Sequence, residues 1–67
     1  MKFPMGSHVC RKEGTHQTER AVVLNSLVTF LVKRKKGTHV VGGFTKIRFD
    51  TGGEYIYPTE DLERWPL

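Results

Sequence analysis

The clearest alternation of apolar and polar positions lies in the last third of the chain. Ile47 and Phe49 alternate with charged neighbours, which is the two-residue period of a strand with one buried face. The segment 50–53, Asp-Thr-Gly-Gly, supplies the glycines that a tight hairpin turn requires. A second strand is predicted over 55–57, and Pro58 ends it because proline cannot donate a backbone hydrogen bond. This pattern predicts a β-hairpin.

The segment 19–36 fits two interpretations. As strands, it runs over 20–24, turns at Asn25-Ser26 and returns over 27–33, and its many β-branched residues favour this structure. As a helix, the same residues place a polar face opposite an apolar one. Strands are the preferred interpretation, and a helix over 19–36 packed on the hairpin, giving an α+β fold, is the alternative.

The start of the chain predicts one more strand. Residues 1–5 are expected to be a flexible lead-in, because Pro4 opposes regular pairing. A strand is predicted over 8–12 with Val9 pointing inward, and a polar loop follows over 13–18.

Turn and cap signals place the remaining elements. The basic run is expected at a hairpin tip over 33–38, and Gly42 and Gly43 are expected to form a bulge or a point of close approach. Thr59 is predicted to cap a short helical turn, after which Leu62 packs under the sheet. Together these elements predict a mostly β fold of five short strands, with a short helical turn before the last segment.

The length of the chain limits what it can be. Residues 1–67 form a single domain, and a domain this small buries only about 60% of its unfolded surface, so we expect a homo-oligomer or docking on a partner protein. The longest apolar stretch, 21–32, is shorter than the ~20 residues of a membrane span. With no visible signal peptide and a single cysteine, Cys10, the sequence predicts a cytoplasmic protein.

Charge is distributed unevenly along the chain. Residues 1–48 carry ten Lys and Arg against two Glu, whereas residues 49–67 carry one Arg against five Asp and Glu. The two parts therefore have net charges of +8 and −4, which sum to the overall +4. Such asymmetry favours binding to a polyanion or head-to-tail contact between copies, although a solvated surface can have the same composition.

Several short segments resemble a known fold. Residues 6–9, 21–23 and 46–50, followed by 57–58 and 61–63, are similar to the SH3-like barrels of Tudor and KOW type. In those barrels a strand that ends in an acidic turn precedes a strand that closes on a Pro-x-x-Asp-Leu turn. The resemblance implies a small five-stranded SH3-like barrel for most of the chain.

A narrower resemblance concerns the two ends of the chain. Met5-Gly6, Val9 and Lys12-x-Gly14, with 56–58 and 62–64, are similar to the plasmid-encoded, trimethoprim-resistant type II dihydrofolate reductases. That resemblance implies a tetramer that binds folate and NADPH in a shared central pore. Tyr55 replaces the glutamine of the family's pore segment, and Arg11 corresponds to its pore lysine.

Two groups of side chains are candidates for binding. Cations on a hairpin tip and on neighbouring strands can neutralise phosphates, and tyrosines or tryptophan can stack on bases or anchor a protein partner. The alternatives are a solvated basic loop, and aromatic rings that complete the core or an oligomer interface. The candidate nucleic-acid-binding residues are Arg11, Lys12, Lys33, Arg34, Lys35, Lys36, Lys46 and Arg48, and the candidate aromatic interface is Tyr55, Tyr57 and Trp65.

No motif for catalysis, metal or cofactor binding stands out. The spacing of His8, Cys10, His16 and His39 matches no ordinary zinc pattern, and neither a phosphate loop nor a serine–histidine motif is present. We therefore expect a non-enzymatic binding module whose basic face contacts nucleic acid or a nucleoprotein complex. The alternatives are a protein-assembly module and, third, a reductase-like enzyme.

Overall fold

The computed structural model describes residues 3–12 and 19–65. Their strands form one antiparallel sheet in the order β4-β3-β2-β1-β5. The elements are β1 (His8–Arg11), β2 (Ala21–Arg34), β3 (Gly37–Phe49), β4 (Glu54–Pro58), a 3-10 turn (Thr59–Asp61) and β5 (Leu62–Arg64).

The mostly β class, the number of strands and the short helical turn before the last segment are confirmed. The predicted strands 20–24 and 27–33 are one strand, β2, and β5 was not predicted as a strand. The sheet is open, with β4 and β5 at its two edges, so the word barrel describes it only loosely. The helical alternative for 19–36 is wrong, because residues 21–34 form a strand that pairs with β3. Within residues 3–12 and 19–65, no helix has the length and apolar character needed to cross a membrane.

The predicted turn at Asn25-Ser26 is also wrong. β2 continues through these residues, since Val23 pairs with Ile47 and Val28 pairs with Phe44 on the same partner strand. The turn-forming residues instead occupy a stretch of irregular register, where β2 has more residues than β3 and therefore bends. The side-chain oxygen of Asn25 accepts a hydrogen bond from the backbone N–H of Leu27 at 2.9 Å, which satisfies a donor that regular pairing would otherwise use.

The predicted hairpin tip and glycine bulge are confirmed. Lys35 and Lys36 form the turn between β2 and β3, and Gly37 follows with a φ of 127°, which glycine adopts most easily. Further along β3, Gly42 and Gly43 together oppose the single residue Thr29. Two residues against one define a β-bulge, and Gly43 has the positive φ of 83° that this bulge requires.

The core lies at one end of the hairpin. Val9 and Leu62 are fully buried, as predicted, and Phe3 is buried with them although residues 1–5 were expected to be a flexible lead-in. The predicted loop over 13–18 lies outside the described residues. The core cluster consists of Phe3, Val9, Ala21, Val23, Ile47, Phe49 and Leu62, with Tyr57 packed against it.

Thr59 does not cap the 3-10 turn as predicted. The N-cap position is Pro58, and no side chain caps the turn. The Thr59 hydroxyl instead hydrogen-bonds the hydroxyl of Thr45 at 2.7 Å. Thr45 is fully buried, so its hydroxyl needs a partner, and Thr59 supplies one.

No residue from 24 to 44 is buried. The distal part of the β2–β3 hairpin therefore extends beyond the core, and we call residues 27–44 the arm, with its tip at 33–36. The molecule measures 42 × 23 × 19 Å, and its radius of gyration of 13.0 Å exceeds the value of about 11 Å for a compact domain of this length. We call the remaining described residues the body.

Candidate nucleic-acid interface

The tip concentrates four cations at the far end of the arm. Lys33 pairs with Thr38 and Arg34 pairs with Gly37, while Lys35 and Lys36 form the turn itself. All four cationic side chains are exposed. The hairpin therefore displays four neighbouring positive charges to solvent, as the sequence predicted for this run.

No carboxylate neutralises these charges within the hairpin. Residues 21–49 contain six Lys and Arg but neither Asp nor Glu. Among the described residues, the ion pairs join Arg20 to Asp50 and Lys46 to Glu54, and both lie in the body. Because like charges held together repel, the tip has an electrostatic preference for a polyanionic ligand.

The two faces of the arm differ in exposure. Phe30 and Phe44 pack edge to face with ring centroids 5.0 Å apart, so this face is partly covered by its own side chains. On the opposite face, Leu31 lies directly across from Val40, and Leu27 lies on the same side four residues earlier. Leu27, Leu31 and Val40 are 70%, 75% and 67% exposed. We call this second surface the Leu31 face.

The cations of the body do not join the tip. Lys46 forms an ion pair with Glu54 at 3.3 Å, and Glu54 is also the β4 residue opposite Arg48 in the backbone register of the sheet. Ten residues of extended strand separate Lys46 from Lys36, a distance of about 30 Å. The structure therefore divides the predicted basic face into a tip cluster and a partly neutralised body cluster.

Arg11 and Lys12 lie near the β5 side of the body. The Arg11 guanidinium lies 4.3 Å from the centre of the Tyr57 ring, a cation–π contact, and this side chain is half-buried. Among the described residues, its Nε atom has no hydrogen-bond partner. Lys12 is exposed, and its backbone N–H donates to the carbonyl oxygen of Asp61 at 2.9 Å. Arg11 therefore contacts an aromatic ring, whereas Lys12 is accessible to solvent.

Only part of the predicted aromatic interface is exposed to solvent. Tyr55 and Tyr57 share the side of the sheet that carries Phe49, and their stacked rings have centroids 5.9 Å apart. Tyr57 packs on the core, whereas Tyr55 is 46% exposed. Trp65 is half-buried, and its backbone N–H donates to the carbonyl oxygen of His8 at 3.0 Å. Tyr55 thus offers the most accessible ring of these three residues.

Cys10 is part of the interior. Its side chain is buried, and both burial and the nearby Glu63 carboxylate raise the pKa of the thiol above its ordinary value of 9.0. A raised pKa leaves the thiol protonated at neutral pH and therefore a poor nucleophile. Within the described ranges, no three His, Cys, Asp or Glu side chains come together in a way that could hold a metal ion.

A groove of about 500 Å³ lies where the arm leaves the body. The groove was not predicted from the sequence, although the glycine pair is a local signal for it, because the absence of side chains opens the surface there. It is lined by Gly42, Gly43, Phe44, Pro58, Thr59 and Glu60. The exposed Glu60 carboxylate gives the base of the arm a negative charge.

The arm thus combines a cationic tip with a mostly apolar shaft, residues 27–32 and 37–44, and Glu60 of the body lies beside its base. This arrangement can hold the tip away from the body and present it to a charged surface.

No protein-family model matches the chain, and searches of curated proteins and of solved structures likewise found no match.

Proposed function

We propose that this protein is a non-enzymatic nucleic-acid-binding module that contacts phosphates through the tip of its arm. The observation that carries the proposal is the protruding two-stranded ribbon, whose end displays Lys33, Arg34, Lys35 and Lys36 with no carboxylate in the hairpin. Each phosphate that a cation neutralises releases condensed counterions, which is the main source of sequence-independent affinity.

The shape of the arm favours duplex DNA over duplex RNA. A two-stranded β-ribbon fits the major groove of B-form DNA, which is about 12 Å wide. The major groove of A-form RNA is too deep and narrow for side chains to enter. Lysine dominates the tip, and lysine acts mainly as a point charge toward phosphate, so binding is expected to depend little on sequence.

Fluorescence anisotropy with labelled duplex DNA, duplex RNA and single strands tests this proposal. The tip variant replaces Lys33, Arg34, Lys35 and Lys36 with Ala. Its matched control replaces Lys12, Lys46, Arg48 and Arg64 with Ala, which removes the same number of charges from the body.

The tip variant is expected to lose about 30-fold or more in affinity for duplex DNA, and the control variant about threefold or less. Equal losses in the two variants would mean that total charge, rather than the tip, drives binding. A wild-type protein that binds none of the probes near physiological salt would overturn the proposal.

A further inference from the structure

The Leu31 face is an apolar surface that the phosphate contacts of the tip do not use. Leu27, Leu31 and Val40 are all at least two-thirds exposed, and they lie together on one side of the ribbon. A single exposed leucine needs no explanation, but three exposed apolar side chains on one face, with Thr29 between the two leucines, indicate an interaction site. An isolated two-stranded ribbon is also marginally stable in water, so a partner on this face would stabilise the arm.

We propose that the Leu31 face binds the same face of a second copy, with the two arms antiparallel. In this arrangement a two-fold axis passes near Leu31, and each Leu31 packs against its equivalent and the facing Val40. A two-fold interface uses the same patch on both subunits, as a self-complementary apolar face requires.

Repulsion between the two cationic tips favours antiparallel arms. Parallel arms would bring two tips together, and each tip carries four cations. Antiparallel arms separate the tips by about 25 Å, since each tip lies about four residues from Leu31. They also bring the tip end of one arm to the base of the other, where Glu60 lies beside Gly42 and Gly43. Opposite charges then face each other at both ends of the interface.

The register of the arm places specific residues opposite one another. With the axis at Leu31, Lys33 of one copy faces the level of Thr29 in the other. Thr29 lies across from the Gly42–Gly43 bulge, which lines the same groove as Glu60. Lys33 is therefore the tip cation best placed to meet Glu60 of the second copy.

The interface is small. A ribbon face of this length is at the low end of specific interfaces, which bury about 1,200 Å² in total, so we expect a dissociation constant on the order of 10 µM. Glu60 faces only part of the tip charge, so both ends of the dimer stay positive. Dimerisation is measured without nucleic acid, so its failure and the failure of the proposed function are separate results.

Sedimentation velocity over a range of protein concentrations tests the dimer. Leu31→Glu places a carboxylate at the axis and is expected to weaken dimerisation at least tenfold. Met5→Glu is the matched control, because Met5 is 71% exposed but lies in the body, and it is expected to leave the dimer unchanged. Both positions are exposed, so both variants are expected to fold, which circular dichroism verifies.

A wild-type protein that stays monomeric to roughly ten times the expected dissociation constant would overturn the proposal, and another protein would then be the better occupant of this face. A dimer that Leu31→Glu does not weaken would also overturn it, because the contact would then lie elsewhere.

Cross-linking tests the antiparallel direction. Thr29→Cys and Lys33→Cys are prepared as separate variants and mixed with a short thiol cross-linker. The introduced thiols are exposed, whereas the natural Cys10 is buried. Antiparallel arms are expected to give products that join the two variants. Efficient cross-linking of Lys33→Cys to itself would instead show parallel arms.

A charge exchange gives a second readout of the direction. Glu60→Lys and Lys33→Glu should each weaken the dimer severalfold, since each places like charges together. Combining both substitutions in one chain should restore dimerisation. A combined variant that is weaker than either single variant would contradict the pairing of these two residues.

Discussion

Individual apolar side chains divide into two groups with different roles. Ile47 and Leu62 are fully buried in the body, whereas Leu27 and Leu31 face water on the arm. Burying a large aliphatic side chain contributes about 1.5–3 kcal/mol relative to leaving it exposed, so the first group stabilises the fold. The second group contributes little to the monomer and is free to contact another molecule.

A pair of substitutions measures this division. Ile47→Val is expected to lower the free energy of unfolding by about 1 kcal/mol, because it removes a buried methylene and leaves a small cavity. Leu27→Ala is expected to change it by less than about 0.5 kcal/mol in dilute protein, although it removes more atoms. Urea denaturation gives both free energies of unfolding. A larger loss of stability for Leu27→Ala than for Ile47→Val would mean that the arm contributes to the core.

The buried thiol predicts a pH dependence of stability. The pKa of Cys10 is raised in the folded protein by burial and by Glu63, so the unfolded chain releases this proton at a lower pH than the folded one. The stability due to the protonated thiol is therefore complete below the ordinary thiol pKa and is lost as the pH rises through the folded value.

Urea midpoints at about pH 7 and about pH 10 measure this effect against a Cys10→Ala reference, which has no thiol to titrate. The wild-type protein is expected to lose more stability between the two pH values than the reference does. Equal losses would mean that the thiol has the same pKa in the folded and unfolded chains.

At the scale of elements, the β2–β3 hairpin serves both parts of the molecule. Ala21 and Val23 at its start, and Ile47 and Phe49 at its end, belong to the core, while the residues between them form the arm. The extra residues of β2 near Asn25 bend the strand where these two parts meet. The body is therefore expected to fold without the arm.

Excision of the arm tests this independence. Replacing residues 29–43 with Asn-Gly joins Val28 to Phe44, which already pair across the hairpin, through a two-residue turn. The shortened chain is expected to unfold cooperatively with stability within about 1 kcal/mol of the wild type, because no deleted residue is buried. Loss of the cooperative transition would show that the arm supports the body.

Local patterns explain which elements could be predicted. The hairpin tip at 33–38 and the glycine bulge depend on residues close together in sequence, and both were predicted. Asn25-Ser26 has the composition of a turn, but its conformation is determined by pairing with β3, where Asn25 lies opposite Lys46, 21 residues away. Phe3 is buried for a similar reason, since only its contacts with distant strands show that it belongs to the core.

The candidate site was predictable to the same extent. Four consecutive cations remain neighbours in any fold, so the tip cluster follows from sequence alone. The division between the tip and the body cations depends on the length of the arm, and the partial neutralisation of Lys46 depends on its position beside Glu54. Neither property can be predicted without knowing how the strands pair.

At the scale of the whole molecule, the distribution of charge matches the division into arm and body. The tip carries four cations, whereas the described body has six Lys and Arg and six Asp and Glu, so net positive charge is concentrated at the tip. Glu60 lies beside the base of the arm. The resemblances to SH3-like barrels and to type II dihydrofolate reductases stay predictions, and an NADPH oxidation assay with dihydrofolate tests the second. An extended arm is consistent with the proposed function, because its apolar strands hold the basic tip away from the body.

The most direct test of the tip as a nucleic-acid contact is the salt dependence of duplex DNA binding. Four phosphate contacts predict that the logarithm of the affinity falls with the logarithm of salt concentration with a slope of about −3.6. Each single replacement of Lys33, Lys35 or Lys36 by Ala is expected to make this slope shallower by about one, whereas Lys12→Ala leaves it unchanged. A slope near zero, or one that changes with Lys12 and not with the tip lysines, would contradict the account.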